Sequence, residues 1–433
     1  MNHAPTTQIL SAAQTKQWDA FTIKENPISS INLMEQASMA FTEWFAKKYA
    51  PEDQQIYIFC GIGNNGGDGF AVARLLAGWT YDVQVIHCLI SNSISQDCAI
   101  NKDRLKQLPI LELNENDPFP AIQENSIIID ALFGSGLNRG IEGYWGELIK
   151  YINIQNETRI AIDIPSGLFA DQHSEGNIFK ADWTVTFQLP KLAFFFAENQ
   201  DYVGQWKVLN IGLHPSFLES IHTPFYFINE HIKSLIKPRK RHDHKGIFGH
   251  ALIIAGSYGK MGAAILSSKA VLRSGAGLVT THVPKCGYEI LQISFPEAMT
   301  QIDKNEYIFS ETPELANYKA IGIGPGLGKE PLTIQAVTST IKKAEIPLVI
   351  DADALNIIAA HPELFDSLPA NSILTPHPKE FERLFGKTHN DFDRIHLLIA
   401  QAQRLNCFIL LKGGYTAIAT PNGNCYFNVN GNP

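Results

Sequence analysis

Five glycines fall within the nine residues Gly61–Gly69, directly after the apolar run Gln55–Cys60 and directly before a helix-like stretch from Phe70 to Trp79. A strand, a glycine-rich turn and a helix in this order are typical of a βαβ unit in an α/β protein. Glycine lets the backbone turn sharply and approach a ligand, and the N–H groups of the following helix then point towards an anion. The segment therefore predicts a site for a phosphate-bearing ligand.

The same segment satisfies G-x-G-x-x-G through Gly61, Gly63 and Gly66, the fingerprint of dinucleotide-binding folds. A hydride-transferring dehydrogenase also needs a carboxylate about 20 residues further on, which binds the ribose hydroxyls at the end of the second strand. That strand is Asp82–Leu89, and no acidic residue stands at its carboxyl end. The loop is therefore predicted to bind a nucleotide without standard hydride transfer.

Three residues of the segment are not required by the fingerprint: Asn64, Asn65 and Asp68. Their polar groups suit a sugar hydroxyl or a small cation. The alternative is that the glycines only allow tight packing, but their mixture with asparagine and aspartate favours a binding site.

Composition limits the possible classes of protein. A chain of 433 residues predicts two or three domains. The net charge of −8 argues against nucleic acid as the main partner. Without a secretory signal, a long apolar segment or a C-x-x-C pair among the six cysteines, the sequence predicts a reduced cytoplasmic protein away from the membrane.

Strand-like and helix-like runs alternate along the first half, which predicts a parallel sheet with crossover helices. The strand-like runs are 55–60, 82–89, 126–132, 158–164, 183–189 and 205–211, and the helix-like runs are 12–25 (capped by Ser11), 30–48, 69–78, 94–107 and 144–153. A basic, proline-containing stretch at 229–245 is interpreted as a linker, and a second α/β unit begins at His250.

Polar side chains follow several of these strands. In the first half, Asp130 and Asp163 end strand-like runs and are each followed by a glycine-containing loop, the second of which includes Ser166. Ligands of open α/β sheets gather at the carboxyl ends of strands. Asn65, Asp130 and Ser166 offer oxygens for a cation, and Asp163 is then free to contact the ligand or move a proton.

The second half has the same character. Asp351 and Asp353 follow one strand-like run, His377 stands between two prolines after another, and Lys412-Gly413-Gly414 after a third is similar to an anion-binding loop. The H-x-H pair at His242 and His244 lacks a complete ligand set, so a linker role is favoured over a metal site.

These motifs together closely resemble the bifunctional NAD(P)H-hydrate repair enzymes, in which a Rossmann-like epimerase domain precedes a ribokinase-like dehydratase domain. The matching motifs are G-x-G-N-N-G-G-D-G (61–69), D-A-L-F-G-S-G (130–136), D-I-P-S-G (163–167), H-K-G-x-x-G-H (244–250), R-S-G-A-G (273–277), G-P-G-L-G (324–328), D-A-D-A-L (351–355), T-P-H-P-x-E (375–380) and K-G (412–413). The resemblance implies an epimerase domain at 1–228, a linker at 229–245 and a dehydratase domain at 246–433.

The resemblance implies repair of hydrated NADH and NADPH (NADHX and NADPHX). The epimerase interconverts the R and S hydrates, and the dehydratase uses ADP to activate the hydroxyl as a phosphate ester before its elimination. A potassium ion in the first site, ADP with Mg²⁺ in the second, and a homo-oligomeric state are further implications.

The resemblance also implies roles for individual residues. Asp163 and Lys191 are the expected catalytic pair, and Asn65, Asp130 and Ser166 the potassium ligands. The expected hydrate contacts are Asn64, Asn65, Gly66, Gly67, Asp68, Gly134, Ser135, Gly136, Leu137, Asn138, Arg139, Gly140 and Asp163 in the first site, and Ala263, Gly326 and His377 in the second, where Lys412, Gly413, Gly414, Tyr415 and Thr416 are expected to bind ADP.

One motif of the family is expected after Asn430–Pro433: a G-[ST]-G-D loop whose aspartate acts as general base. Because the chain stops at Pro433, we expect an incomplete ribokinase-like domain with little or no dehydratase turnover. Two other interpretations stay open: a ribokinase-type small-molecule kinase fused to a nucleotide-binding domain, and a non-catalytic nucleotide-binding scaffold.

Overall fold

The computed structural model describes residues 6–52, 54–106, 108–236 and 238–429. The chain divides into two compact units. One is Gln8–Phe225, here called the N-terminal unit, and the other comprises Met1–Thr7 with Tyr226–Pro433, here called the C-terminal unit. The expected two-domain α/β fold with parallel sheets is confirmed.

Short strands precede and follow the N-terminal unit: β1 (Thr6–Gln8) and β9 (Phe225–Ile228). Its sheet contains β2 (Ile56–Cys60), β3 (Val83–Cys88), β4 (Ile110–Leu113), β5 (Ile127–Ala131), β6 (Thr158–Ile162), β7 (Trp183–Phe187) and β8 (Gln205–Leu209). The helices are α1 (Ala12–Glu25), α2 (Ser30–Ala46), α3 (Asn64–Gly78), α4 (Gln96–Asp103), α5 (Gly143–Asn153), α6 (Gln200–Val203) and α7 (Phe217–Ser220).

All pairings in this sheet are parallel, in the order β4-β3-β2-β5-β6-β7-β8. Apolar clusters cover both faces, one around Phe70 and Val85 and the other around Phe59 and Ile149. Burial of both faces explains the nearly continuous apolar character of strands such as β2. Because β2, β5 and β6 are neighbours, their carboxyl ends bring residues 61–65, 130–134 and 163–166 to one edge.

The N-terminal unit contains a confirmed prediction and two corrections. Ser11 caps α1 as expected, in a capping box with Gln14. The helix predicted from Phe70 instead begins at Asn64, so most of the glycine-rich segment forms its first two turns. Strand β4 was not predicted, because its sequence Ile110–Leu113 contains a glutamate and is only half-buried at the sheet edge.

The strands of the C-terminal unit beyond β9 are β10 (His250–Ile254), β11 (Leu278–Val283), β12 (Met299–Ile302), β13 (Ala320–Ile323), β14 (Leu348–Ile350), β15 (Ile373–Leu374), β16 (Phe408–Leu411), β17 (Thr416–Ala419) and β18 (Cys425–Asn428). The helices are α8 (Met261–Arg273), α9 (Tyr288–Ser294), α10 (Pro331–Lys343), α11 (Ala352–Ala360), α12 (Pro378–Phe385) and α13 (Asp391–Leu405).

The sheet order is β1-β9-β18-β17-β16-β15-β14-β13-β10-β11-β12. The strands from β16 to β12 are parallel, whereas β16, β17 and β18 pair antiparallel. The parallel part places the loops after β10, β13, β14, β15 and β16 at one edge, where ligands of such sheets bind. Within the described residues, no helix is both long and apolar enough to cross a membrane.

Candidate functional sites

Close packing around the first two turns of α3 leaves no room for a side chain at most of the glycines in the Gly61–Gly69 segment. A Cβ on Gly61 would lie 2.0 Å from the Leu132 carbonyl oxygen, and one on Gly66 would lie 1.9 Å from the Gly61 carbonyl oxygen. A Cβ on Gly69 would lie 2.6 Å from that of Ala131. By contrast, the space around Gly63 is open, and this exposed residue is the N-cap of α3. Close packing therefore accounts for the glycines at 61, 66 and 69, while Gly63 leaves room for an anion at the helix N-terminus.

Asn65, Asp130 and Ser166 come together as predicted. Asp130 Oδ1 accepts the Ser166 hydroxyl proton at 2.6 Å and Oδ2 accepts the Ser166 N–H at 2.7 Å. The Asn65 side chain donates to the Phe133 carbonyl oxygen at 3.1 Å, and the Phe133 N–H donates to the Ser166 hydroxyl oxygen at 2.9 Å. The cluster thus joins α3 to the loops that follow β5 and β6.

This cluster has oxygens suited to a monovalent cation. Asp130 is 1% exposed and takes part in none of the ion pairs found among the described residues. Burial raises the pKa of Asp130 to about 6, although hydrogen bonds from Ser166 and Leu132 oppose this change. A buried carboxylate without a cationic side chain nearby would gain from a bound cation. The Phe133 carbonyl is a candidate ligand that the sequence could not reveal, since backbone oxygens carry no residue signature.

Asp163 and Lys191 form the centre of the same site. Lys191 Nζ lies 2.7 Å from Asp163 Oδ1, and the same oxygen accepts from the Thr186 hydroxyl at 3.0 Å and from the Phe187 N–H at 3.1 Å. Lys191 is 3% exposed and Asp163 16% exposed. Three donors on one oxygen orient the carboxylate, and Oδ2 accepts none of the hydrogen bonds identified in the described part of the chain.

The backbone at Asp163 is unusual, with φ at +65°. Residues other than glycine seldom adopt this left-handed region, and aspartate and asparagine tolerate it better than most. Such strain is concentrated at functional sites. Here it turns the chain sharply after β6 and places the carboxylate opposite Lys191.

Two further carboxylates interact with this pair electrostatically. Burial and the negative charge of Asp163 raise the pKa of Asp19 to about 6, an effect that Lys191 opposes. Burial and the charges of Asp163 and Asp19 also raise the pKa of Asp68 well above its usual range. Sequence reasoning missed Asp19 because it lies within α1 and belongs to no motif.

Of the other predicted residues of the first site, Asn64 and Gly67 lie in the first turn of α3, and the rest lie in the loop after β5. Its members are Gly134, Ser135, Gly136, Leu137, Asn138, Arg139 and Gly140, of which Gly136, Asn138 and Arg139 are exposed. Gly134 lies beside Asn65, since a Cβ at this position would be 3.3 Å from the Asn65 Cβ. The loop therefore borders the first site, with open space at Gly136.

In the C-terminal unit, the loops after β10 and β13 are joined. The Ser257 hydroxyl donates to the Gly326 carbonyl oxygen at 2.7 Å, and the Gly256 N–H donates to the Pro325 carbonyl oxygen at 2.8 Å. A Cβ on Gly326 would lie 3.1 Å from the Ala263 Cβ. The structure thus brings together Ala263 and Gly326, two of the predicted hydrate contacts.

His377 has a structural role in addition to any contact with a ligand. It is the N-cap of α12. Its ring Nδ1 accepts from the backbone N–H of Glu380 at 3.4 Å, and its own backbone N–H donates to Glu380 Oε2 at 2.9 Å. Its Nε2 lies 3.3 Å from Glu380 Oε1, and the side chain is 45% exposed. The helix cap explains a histidine at this position, and the ligand contact stays a prediction.

The predicted ADP loop connects β16 to the antiparallel β17. Lys412 Nζ lies 2.8 Å from Asp351 Oδ1, and its backbone N–H donates to the Pro376 carbonyl oxygen at 2.9 Å. Gly413 and Gly414 are exposed, whereas Tyr415 and Thr416 are half-buried. These contacts bring the loops after β14, β15 and β16 together. The G-[ST]-G-D loop predicted to follow Asn430–Pro433 concerns a segment outside the described residues.

Comparison with known proteins gives two family matches. The model described as YjeF-related protein N-terminus matches residues 30–193, and the model described as NAD(P)H-hydrate dehydratase matches residues 251–433.

Relatives are similar over almost the whole chain. The bifunctional NAD(P)H-hydrate repair enzyme Nnr of Moorella thermoacetica is 33% identical over 445 residues, which cover 98% of this chain and 84% of that protein. The protein of the same name from Coxiella burnetii is 33% identical over 94% of this chain and 83% of its own. A solved ADP/ATP-dependent NAD(P)H-hydrate dehydratase from Bacillus subtilis, co-crystallised with ATP and Mg²⁺, is 32% identical over 47% of this chain and 72% of that one, with a TM-score of 0.38.

Proposed function

Since the chain belongs to the family of bifunctional NAD(P)H-hydrate repair enzymes, we propose that its two units carry the two activities of that family. The N-terminal unit epimerises the R and S hydrates of NADH and NADPH. We assign to the C-terminal unit the ADP-dependent dehydration of the S hydrate, and the low turnover expected from the sequence stays a prediction. The domain limits expected from the sequence, 1–228 and 246–433, belong to this proposal.

The Asp163–Lys191 pair is the observation that best supports the epimerase activity. Inversion at the hydrated carbon breaks its C–O bond when the hydroxyl takes up a proton and leaves as water, and remakes that bond when water adds to the opposite face and gives up a proton. Asp163 Oδ1 is held by three donors, including Lys191 Nζ at 2.7 Å, so Oδ2 is oriented for this transfer. The exposed N-terminus of α3 at Gly63 would bind the pyrophosphate.

We place potassium at Asn65, Asp130 and Ser166, with the Phe133 carbonyl as a fourth oxygen. Asp130 is buried and forms none of the ion pairs found among the described residues, and both observations support a cation here. Bound potassium would supply positive charge that stabilises the ionised form of Asp130. Asn65 and the Gly134–Gly140 loop would then keep their positions beside the hydrate.

In the C-terminal unit we assign the hydrate to Ala263, Gly326 and His377, and ADP to the Lys412–Thr416 loop. The ion pair between Lys412 and Asp351 positions a cationic side chain at this loop, which suits a phosphate group. Mg²⁺ would accompany the nucleotide phosphates. In the part of the chain that the structure describes, no group of three or more His, Cys, Asp and Glu is arranged to hold a metal, so the phosphates would supply several of its ligands.

Two broader properties complete the proposal. All six cysteines are free thiols, in keeping with the cytoplasm as a reducing compartment. A homo-oligomer is supported by apolar side chains exposed on the edge strand β12 and on α9, where Ile302 is 46% and Ile293 83% exposed. Light scattering of the purified protein would measure the oligomeric state.

The epimerase assignment is tested by Asp163→Asn. Asparagine has nearly the same shape and tolerates the positive φ, so the variant should fold while losing proton transfer. We expect the rate of R-to-S interconversion of NADPH hydrate to fall about 10²- to 10⁴-fold. The matched control is Asp201→Asn, at an exposed position on α6. Full activity of Asp163→Asn would exclude Asp163 as the proton-transfer group.

A further inference from the structure

Two tyrosines stand out on the surface of the C-terminal unit. Tyr258 is 71% exposed and Tyr307 is 54% exposed, although rings of this size are usually better buried. Their ring centroids lie 5.2 Å apart at an interplanar angle of 84°. Two rings in this arrangement form a corner, in which a flat molecule can stack on one ring and meet the edge of the other.

The backbones that carry these rings are held firmly. The Tyr258 N–H donates to the Tyr307 carbonyl oxygen at 2.8 Å, and the Tyr307 N–H donates to Asn305 Oδ1 at 2.9 Å. Asn305 is in turn bound through its own N–H to Asp303 Oδ1 at 2.8 Å. These bonds fix the backbone at both rings before any ligand binds, which lowers the cost of ordering the loops on binding.

Asp303 holds the loop that carries Tyr307 in place. It is 1% exposed, and its Oδ2 accepts from the Ser310 N–H at 2.8 Å and lies 3.1 Å from Nε2 of the buried His282. Asp303 thus connects both ends of the 303–310 loop to β11. No residue of this group belongs to the sites assigned above, so its role as a support for Tyr307 is a separate observation.

The tyrosine corner borders the site assigned to the hydrate. Tyr258 lies in the loop that Ser257 joins to Gly326 at 2.7 Å. Two residues further on, the carbonyl oxygen of Lys260 accepts from the Ala263 N–H at 3.1 Å. A Cβ on Gly326 would lie 3.2 Å from the Lys260 Cβ. The loop that carries Tyr258 is therefore in direct contact with the predicted hydrate contacts.

The order of the strands shows on which side of the ADP loop the tyrosine corner lies. The ADP loop follows β16, the residues assigned to the hydrate follow β15, β13 and β10, and Tyr307 follows β12 at the far end of the sheet. With neighbouring strands about 4.8 Å apart, the end of β16 is about 19 Å from that of β10. With ADP at the loop after β16, the rest of the dinucleotide can extend along the sheet edge towards β12.

We propose that Tyr258 and Tyr307 form a stacking site for a nucleobase, the adenine of the dinucleotide substrate. The proposal rests on the function proposed for this unit. Lys260 is 55% exposed beside the corner, with its Nζ 3.9 Å from Asp353 Oδ2, and places a cationic group on the path of the pyrophosphate. Base–aromatic stacking tolerates differences in sequence and substituents, because it depends on the ring face, so NADH and NADPH hydrates would use the same corner.

The test is calorimetric titration of the full chain with NADP⁺, an unhydrated and unreactive dinucleotide. All six tryptophans, from Trp18 to Trp206, lie in the N-terminal unit, so tryptophan fluorescence reports its binding separately. The double variant Tyr258→Leu/Tyr307→Leu keeps apolar bulk but loses both rings. We expect about tenfold weaker binding in the C-terminal unit, unchanged fluorescence titration, and affinity within about twofold of the parent in Tyr258→Phe/Tyr307→Phe.

The outcomes separate this proposal from the function on which it rests. A second class of NADP⁺ sites that the leucine double variant leaves unchanged would refute the stacking site alone. Absence of that class in the parent chain would refute the dinucleotide site of this unit, and the stacking site with it. An equal loss of ADP affinity in the leucine double variant would overturn the assignment and indicate that the rings bind the base of ADP. A change of its oligomeric state would also overturn the assignment and indicate a subunit contact.

Discussion

Substitutions of single glycines at the N-cap of α3 and within it test close packing separately from ligand binding. A Cβ at Gly66 would lie 1.9 Å from the Gly61 carbonyl oxygen and 2.9 Å from its nitrogen, so Gly66→Ala requires the backbone to move. Overpacking of this kind costs about 3 kcal/mol at the upper end of its usual range. Alanine regains about 1 kcal/mol of helix propensity. We expect a net loss of about 2 kcal/mol in the free energy of unfolding.

The assay uses the tryptophans again. All six belong to the N-terminal unit, so the thermal change in their fluorescence follows this unit. In a unit of this size, 1 kcal/mol corresponds to about 2–4 °C, and Gly66→Ala should therefore lower Tm by about 4–8 °C. Gly78→Ala in the same helix has nothing within 4 Å of the added Cβ and should leave Tm unchanged or slightly raised.

Gly63→Ser completes the comparison. The position has open space, and serine is a favoured N-cap, so Tm should change little. The added side chain occupies the path of the expected phosphate, and KM for the hydrate should rise. An unchanged Tm in Gly66→Ala would refute the close approach of α3 to Gly61. An unchanged KM in Gly63→Ser would refute an anion site at this helix end.

Three further predictions concern charge and accessibility. The pKa of Asp19 is raised to about 6, so the protonated side chain contributes stability below about pH 4, and this contribution is lost as the pH rises through about 6. In urea unfolding, Asp19→Asn should therefore gain stability relative to the parent between pH 4 and pH 7, and a pH-independent difference would contradict this. Lys412→Met should weaken ADP binding at least about tenfold by calorimetry, because it removes the cation paired with Asp351, and unchanged affinity would move the ADP site elsewhere. Cys286 is half-buried and the other five cysteines are buried, so the native protein should react with one equivalent of a thiol reagent, and Cys286→Ser with none; faster labelling of several thiols would contradict the fold.

The sequence was sufficient for the order of the elements and for much of the first site. Alternating apolar runs predicted the parallel sheet, and Ser11 correctly marked the start of α1. Asp130 and Ser166 were predicted to come together because each follows a strand, and they are hydrogen-bonded at 2.6 Å. Such predictions succeed because neighbouring parallel strands bring their carboxyl ends to one edge.

The errors have physical causes. The start of α3 was predicted too late because glycine is a poor helix former, whereas here Gly66 is required for close packing against Gly61. Asp19 could not be found in advance, because the effect of Asp163 and Lys191 on its pKa depends on the position of α1 in the fold. The same is true of the Phe133 carbonyl and of Thr186, which contribute through geometry alone.

The most direct test of the proposed function is the R-to-S interconversion of NADPH hydrate by the purified chain, measured with potassium and with an equal concentration of a large organic cation. We expect rapid interconversion with potassium, a lower rate without it, and no such difference in Asp130→Asn. Interconversion at the uncatalysed rate under both conditions would contradict the assignment of the N-terminal unit as an epimerase.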